Sequence, residues 1–309
     1  MTSSLGARAP HASEAGSFTI AGQVTVHRLG YGGVSLAGPR GCGFGPCEDE
    51  DAAKAVLRRV RELGINLVDT ADSYGPHTSE SLIGKYLHPY PDGMLIASKV
   101  GMIRKSLEYS AGDVCGRPDY IRSSLEGSLK RLKLERIELY QLHRVDPQVP
   151  LEETAGAFAD LIREGKIGMF GVSAVTVEQL ETLAKVTPIA TVQNNFNLAD
   201  RSCEDVLEWC EARGVGFIPY WPLSKGRLTQ VETVRQVALR HEASPSQIAL
   251  AWLLDRSPVI LPIPGTLSAA HLEENLGAGR IRLTDQDRAD LEVIEQTPYV
   301  GFVKESAPS

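Results

Sequence analysis

Four residues that could move a proton follow apolar segments of the sequence. Asp69 and Tyr74 lie five residues apart in NLVDTADSYG (66–75), Lys99 follows LIAS, and His143 follows LYQL. A phenol with an unperturbed pKa of ~10 is a poor acid at neutral pH, but a nearby ammonium favours the phenolate and lowers that pKa. A carboxylate could hold the ammonium, and an imidazole could hydrogen-bond the oxygen that the phenol serves. This set could form a general acid for a carbonyl oxygen.

Each residue also has an ordinary structural explanation. Asp69 could cap the turn after its strand, and Tyr74 could serve packing. Lys99 could pair with a surface acid, and His143 could be a satisfied core histidine. However, a lysine and a carboxylate aimed into one buried site need each other, because an unpaired buried charge is costly. Their joint occurrence therefore favours a shared site.

The chain around these residues alternates between short apolar strands and amphipathic helices. We predict strands at 29–34, 66–70, 94–100, 136–143, 167–173, 189–193, 214–220 and 259–264. Strands that are apolar on both faces indicate a parallel sheet covered by helices. Eight such units predict an α/β fold of the (β/α)8 TIM-barrel type rather than an open sheet. Functional residues should then lie at the carboxyl ends of the strands, where Ser173, Gln193 and Tyr220 also fall.

The remaining segments fit around one barrel domain over residues 17–309. Residues 18–28 alternate as a β-hairpin, and two helices exceed the eight repeats. Capping boxes at Thr176 and Ser244 mark two helix starts. Residues 1–16 are small and polar, so we expect a disordered lead-in.

The composition has no marked charge bias. The 309 residues are 42% hydrophobic and 23% charged, with a net charge of −7 and a pI near 5.6. Nucleic acid and anionic membranes are therefore not expected partners, and no run reaches the ~18 apolar residues of a membrane helix. The five cysteines show no CxxC, and a metal knuckle at Cys42 and Cys47 is not favoured. We expect free thiols, a cytoplasmic location and no metal.

The motifs around the four residues resemble those of the aldo-keto reductases. The family's Asp, Tyr, Lys, His tetrad is matched in order by NLVDTADSYG, ASKVG and YQLHRVDP. The resemblance runs from HRLGYGG to HLEENL, and its LGYGG, SYGPH and PIPGT motifs are similar to the bacterial pyridoxal-reductase-like subgroup. It implies a barrel closed below by the hairpin, NADPH bound without a Rossmann domain, and hydride transfer to an aldehyde or ketone. The glycine-rich GCGFGP follows no strand and opens no βαβ unit, so it is predicted to be a mobile loop.

The resemblance also implies the cofactor contacts. Ser173 and Gln193 would hold the nicotinamide carboxamide, and Tyr220 would stack on the ring. Family members usually carry asparagine where this chain has Ala174, so one hydrogen bond should be missing or come from another group such as Asn194. The other expected contacts are Gly32, Gly33, Val34, Pro222, Leu223, Lys225, Arg227, Gly265, Thr266, His271, Glu274 and Asn275.

The phosphate end departs from the family pattern. A helix is predicted to begin near Ser268, and its free N–H groups would attract a phosphate. Many relatives have lysine at Gly265 and arginine at His271, and this chain has neither. Lys225 and Arg227 could compensate at the pyrophosphate. We expect NADPH to be preferred, but less strictly than in relatives with both cations.

The substrate is predicted to be a small carbonyl compound. Tyr74, His143, Arg144 and Trp221 should contact it, together with the loop after the first strand and the segment 101–117. Pyridoxal, another small aldehyde and a natural-product ketone are all compatible. Steroid double-bond reducers of the family carry glutamate at the histidine position, so His143 favours reduction of C=O over C=C.

Two other functions are open to the same barrel. Lys99 could form a Schiff base in an aldolase-type lyase, which would leave Tyr74, His143 and Gln193 unexplained. A regulatory subunit could bind NADPH as a ligand only, although the intact tetrad argues against that reading.

Overall fold

A hairpin and a parallel sheet follow one another along the chain. The computed structural model describes residues 8–39, 43–103 and 113–298. Strands β1 (Ser17–Ile20) and β2 (Val24–His27) form the antiparallel hairpin. The parallel sheet follows in chain order, with β3 (Tyr31–Gly32), β4 (Leu67–Asp69), β5 (Leu95–Val100), β6 (Ile137–Leu142), β7 (Ile167–Ser173), β8 (Ile189–Gln193) and β9 (Gly216–Phe217). Because these strands are parallel neighbours, their carboxyl ends meet on one side.

Residues 259–264 close this sheet into the predicted (β/α)8 barrel. Leu261 N donates to Phe217 O in β9 at 2.8 Å, and Gly30 N before β3 donates to Pro262 O at 2.9 Å. Pro262 has no N–H to return a hydrogen bond, so the segment forms no regular ladder. The eighth strand is therefore present as an extended segment that joins the two edges of the sheet.

Ten α-helices in the described ranges cover the sheet and the ends of the barrel. They are α1 (Glu50–Glu62), α2 (Thr78–Tyr86), α3 (Pro118–Leu132), α4 (Leu151–Arg163), α5 (Val177–Ala184), α6 (Glu204–Arg213), α7 (Glu232–Arg240), α8 (Pro245–Arg256), α9 (Ala269–Gly277) and α10 (Asp285–Glu292). The capping boxes predicted at Thr176 and Ser244 start α5 and α8. None of these helices combines the length and the hydropathy that a bilayer crossing needs.

The hairpin packs beneath the barrel interior, as the resemblance implies. Ile20 and Val26 from the hairpin form one apolar cluster with residues such as Leu67, Leu95 and Leu139 from the barrel strands. Along each strand the side chains alternate between the two faces of the sheet. The residues two and four positions further along the same strand directions therefore also face the interior, and these include Asp69, Lys99 and His143.

The predicted disorder of residues 1–16 is wrong for the end of that segment. Residues Ala12–Ala15 form a short 3-10 helix, and Ala12 N donates to Leu63 O at 2.9 Å. Gly64 has a φ of 71°, and a Cβ there would meet the His11 ring at 2.1 Å. The lead-in is thus packed against the turn after α1. Residues 1–7 lie outside the described ranges.

Candidate active site

Lys99 on β5 joins the first three predicted catalytic residues. Its side chain is 0% exposed, and Asp69 at the end of β4 is 1% exposed. Lys99 Nζ forms an ion pair with Asp69 Oδ1 and donates to Tyr74 Oη at 3.2 Å. A third hydrogen bond of 2.9 Å goes to Thr70 O. Burial lowers the pKa of Lys99, but the charge of Asp69 and the hydrogen bonds to Asp69 and Tyr74 outweigh it. The pKa is raised overall, so the amine stays protonated.

Two amides hold the second oxygen of Asp69. Gln141 Nε2 and Gln193 Nε2 each donate to Asp69 Oδ2 at 3.1 Å. Gln141 was not among the predicted site residues. It lies two positions before His143 on β6, so strand alternation could have indicated that both side chains face the interior. The carboxylate is therefore fixed by one cation and two neutral donors.

His143 lies beside Tyr74 and is oriented by Ser73. The imidazole and phenol ring centroids are 5.7 Å apart with an interplanar angle of 82°. Ser73 Oγ lies 3.2 Å from His143 Nδ1. The sequence prediction missed this serine, although it stands inside the motif that carries Tyr74. The four predicted catalytic residues thus form one cluster at the carboxyl ends of the strands.

A cavity of about 920 Å³ opens above this cluster. Its volume is in the range of small-molecule and cofactor sites. The predicted site residues that line it are Gly32, Val34, Asp69, Tyr74, His143, Arg144, Ser173, Gln193, Tyr220, Trp221, Pro222, Leu223, Lys225, Gly265, Thr266 and His271. Ser35, Ile263 and Leu267 line it too, although they were not among the predicted contacts.

Four predicted cofactor contacts do not line this cavity. Gly33 turns its carbonyl towards α2, where Ser79 Oγ donates to it at 2.8 Å. Arg227 lines a separate cavity of about 320 Å³. Glu274 and Asn275 follow the first turn of α9, where Asn275 is buried in the packing of that helix.

The hydrogen bond expected from Asn194 is not available. Its Oδ1 accepts from Val175 N at 3.1 Å, and its Nδ2 donates to Val175 O at 2.8 Å and to Cys203 Sγ at 3.4 Å. Both ends of the amide therefore hold the backbone after β7. Ala174, between these segments, has a φ of 54°. Asparagine tolerates this left-handed conformation better than alanine.

Arg144 lies against the predicted nicotinamide contacts. Its Nη1 donates to Ser173 Oγ at 3.2 Å and to His143 O at 2.7 Å. The guanidinium carbon lies 5.6 Å from the centre of the Tyr220 ring. The hydroxyl, the aromatic ring and the cation thus share one wall of the cavity.

The turn before α9 forms the other end of the cavity. Thr266 Oγ1 accepts from Ser268 N at 3.0 Å, and Ser268 Oγ accepts from His271 N at 3.3 Å. His271 is exposed at the cavity edge. A Cβ at Gly265 would come within 2.7 Å of Gly32 O. A side chain at this position would therefore have to displace the backbone of β3.

The glycine-rich loop is hydrogen-bonded to the loop that carries Tyr74. Gly45 N donates to Gly75 O at 2.8 Å, and Gly75 N donates to Gly43 O at 3.1 Å. Phe44, between these two bonds, lines the cavity. Residues 43–46 of the predicted mobile loop thus contact the site, and its mobility stays a prediction. Cys42, and residues 104–112 of the predicted 101–117 wall, lie outside the described residues.

The chain matches a family model and members of that family over most of its length. The model of the Aldo/keto reductase family matches residues 28–296. An uncharacterized oxidoreductase of Schizosaccharomyces pombe is 41% identical over 293 residues, which cover 94% of each chain. Pyridoxine 4-dehydrogenase of Escherichia coli is 35% identical over 286 residues, which cover 91% of this chain and 98% of the other.

A solved structure gives the same result for the fold. The aldo-keto reductase from Klebsiella pneumoniae in complex with NADPH is 25% identical, with a TM-score of 0.76, and the match covers 94% of this chain and 99% of that one. These matches do not support a Schiff-base lyase or a regulatory subunit. The chain belongs to the aldo/keto reductase family.

Proposed function

We propose that this chain is a carbonyl reductase that converts a small aldehyde or ketone to the alcohol, with Tyr74 as the proton donor. The observation that carries the proposal is the hydrogen bond of 3.2 Å from Lys99 Nζ to Tyr74 Oη. The ammonium stabilises the phenolate that remains after the phenol has given up its proton. Tyr74 and His143 line the same cavity, where a carbonyl oxygen could accept from both.

The cavity wall fits NADPH. Ser173 offers a hydroxyl and Tyr220 an aromatic face near the tetrad, and the first turn of α9 offers N–H groups at the other end. The bound cofactor supplies the hydride that the carbonyl carbon accepts. Tyr74 gives its proton to the carbonyl oxygen, Lys99 and Asp69 hold the phenolate in place, and His143 orients the substrate oxygen.

Pyridoxal is the first substrate to test, because the Escherichia coli relative is a pyridoxine 4-dehydrogenase. Other small aldehydes and ketones belong in the same screen, with NADPH and NADH measured in parallel. We propose reduction of C=O rather than C=C, because His143 occupies the position of the glutamate in the double-bond reducers.

The matched variant Tyr74→Phe tests the proton donor. It removes one hydroxyl and keeps the ring, so NADPH affinity should stay close to wild type while kcat falls by about 10²–10⁴-fold, the usual contribution of general acid catalysis. The assays are NADPH consumption at 340 nm and cofactor binding by fluorescence. A Tyr74→Phe enzyme with near-normal turnover would remove Tyr74 from the mechanism.

A further inference from the structure

A second buried polar cluster lies on the outer face of the sheet, behind the tetrad. Ser98 and Tyr140 are opposite each other on β5 and β6, one position before the interior-facing Lys99 and Gln141. They therefore point away from the cavity, towards the covering helices.

Glu80 on α2 is the charged centre of this cluster. It is fully buried, and both of its carboxylate oxygens have partners. Ser98 Oγ donates to Oε1 at 2.5 Å, and Arg131 Nε on α3 donates to Oε2 at 2.7 Å. The guanidinium of Arg131 thus compensates the charge of Glu80.

Asp72 brings a second carboxyl group to the same place. It is 4% exposed, and its Oδ1 has no hydrogen-bond partner among the residues that the structure describes. Its backbone ties the catalytic loop down, since Asp72 N donates to Lys99 O at 3.2 Å and Asp72 O accepts from His77 N at 2.8 Å. The next two residues are Ser73, which contacts His143, and Tyr74.

The charges around Asp72 do not compensate a second carboxylate. Arg131 is hydrogen-bonded to Glu80, and Lys99 is paired with Asp69. Burial, together with the charge of Glu80, raises the pKa of Asp72 well above its usual range, although Arg131 and Lys99 act in the opposite direction. The titratable and charged groups that face it from the packed elements are His77 in its own loop, Glu80 on α2, Lys99 on β5, Tyr120 and Arg131 on α3, and Tyr140 on β6.

We propose that Asp72 is a positioning residue: its buried carboxyl group must be neutral for the loop that carries Ser73 and Tyr74 to stay in register with Lys99. When it ionises, the buried cluster contains two carboxylates and one guanidinium, and the loop that carries Ser73 and Tyr74 is pushed out of register with Lys99. Carbonyl reduction then falls at alkaline pH for a reason outside the tetrad. This inference rests on the proposed role of Tyr74, but the state of Asp72 can be measured without catalysis.

The sign of the linkage gives a stability test. The unfolded pKa of aspartate is ~3.9. Because the folded pKa is raised, the contribution of Asp72 to stability is complete below the unfolded value and is lost as pH rises towards the folded one. Asp72→Asn cannot ionise. The unfolding equilibrium constant of Asp72→Asn, divided by that of wild type, should therefore fall by about tenfold per pH unit between the unfolded and the folded pKa of Asp72.

The experiment compares Asp72→Asn, Asp72→Ala and the exposed control Asp92→Asn with wild type from pH 5 to pH 10. Urea unfolding gives stability, and NADPH consumption gives kcat. Asp72→Asn should retain kcat at neutral pH and extend activity to higher pH than wild type. Asp72→Ala cannot ionise either, so its kcat should also lack the alkaline loss of wild type. Asp92→Asn should follow wild type in both measurements.

Parallel stability curves and the same alkaline loss in wild type and Asp72→Asn would overturn the proposal. An Asp72→Asn chain that does not fold would also overturn it, because a neutral amide should be tolerated where a neutral acid lies. If wild type does not reduce carbonyls but the stability difference between Asp72→Asn and wild type still widens as pH rises, the proposed reaction is wrong. The neutral state of Asp72 would then still be supported.

Discussion

Removal of the buried amine should separate stability from catalysis in this site. Lys99→Met keeps the length of the side chain and deletes the charge. Asp69 would then stay buried with its two glutamine donors but without a cation. Breaking a buried ion pair on one side costs about 3–5 kcal/mol, because it leaves the other charge uncompensated.

The double variant shows where that cost comes from. Asp69→Asn together with Lys99→Met leaves no buried charge in the pair, so the two substitutions should not be additive. We expect a coupling of about 1–3 kcal/mol in the unfolding free energy. Activity should behave differently. Either single change, and the double change, should lower kcat by about 10²–10⁴-fold, since each removes the support of the Tyr74 phenolate.

Urea unfolding followed by tryptophan fluorescence gives the free energies, and NADPH consumption gives kcat. Lys85→Met is the matched control, because Lys85 forms an exposed ion pair with Glu50 and such pairs contribute little. Additive losses of stability would show that the two charges do not depend on each other. A Lys99→Met enzyme with wild-type turnover would refute the role of the ammonium in proton transfer.

Two further substitutions test the two ends of the cofactor site. Ala174→Asn places asparagine at a φ of 54°, where it is better tolerated, and restores the residue usual in the family. It should tighten NADPH and NADH equally, and an effect on NADPH alone would contradict a contact with the nicotinamide. His271→Arg adds a cation at the start of α9, and a charge-assisted hydrogen bond contributes roughly 1.5–3 kcal/mol. Its Kd for NADPH should fall about tenfold or more while that for NADH stays the same, whereas equal tightening would show that the side chain does not face the 2′-phosphate.

The fold and the clustering of Asp69, Tyr74, Lys99 and His143 could be predicted from the sequence for physical reasons. Strands with apolar side chains on both faces require cover on both sides, and this determined the barrel. Buried charges require partners, and this predicts that Asp69 and Lys99 lie together. The second oxygen of a buried carboxylate also needs donors, and this predicts a residue such as Gln141 beside Asp69.

Other contacts depend on distances that no motif encodes. Asn194 has the right chemistry to replace a missing donor at Ala174, but both ends of its amide are used by Val175. Arg227 follows Lys225 by two residues, yet only Lys225 lines the main cavity. In a turn with left-handed residues at Lys225 and Gly226, side-chain direction does not follow from sequence spacing.

The phosphate end shows how backbone packing restricts the choice of side chain. Gly265 lies so close to β3 that a Cβ would meet Gly32 O at 2.7 Å. Every rotamer of lysine has the same Cβ, so no choice of rotamer would relieve this contact. A lysine there would have to displace the junction where residues 259–264 close the barrel against β3. The exposed position of His271 has no such restriction. A gain in preference for NADPH is therefore accessible to this chain through residue 271 and not through residue 265. The two departures from the family pattern thus have different origins, one in barrel closure and one in the choice of a surface side chain.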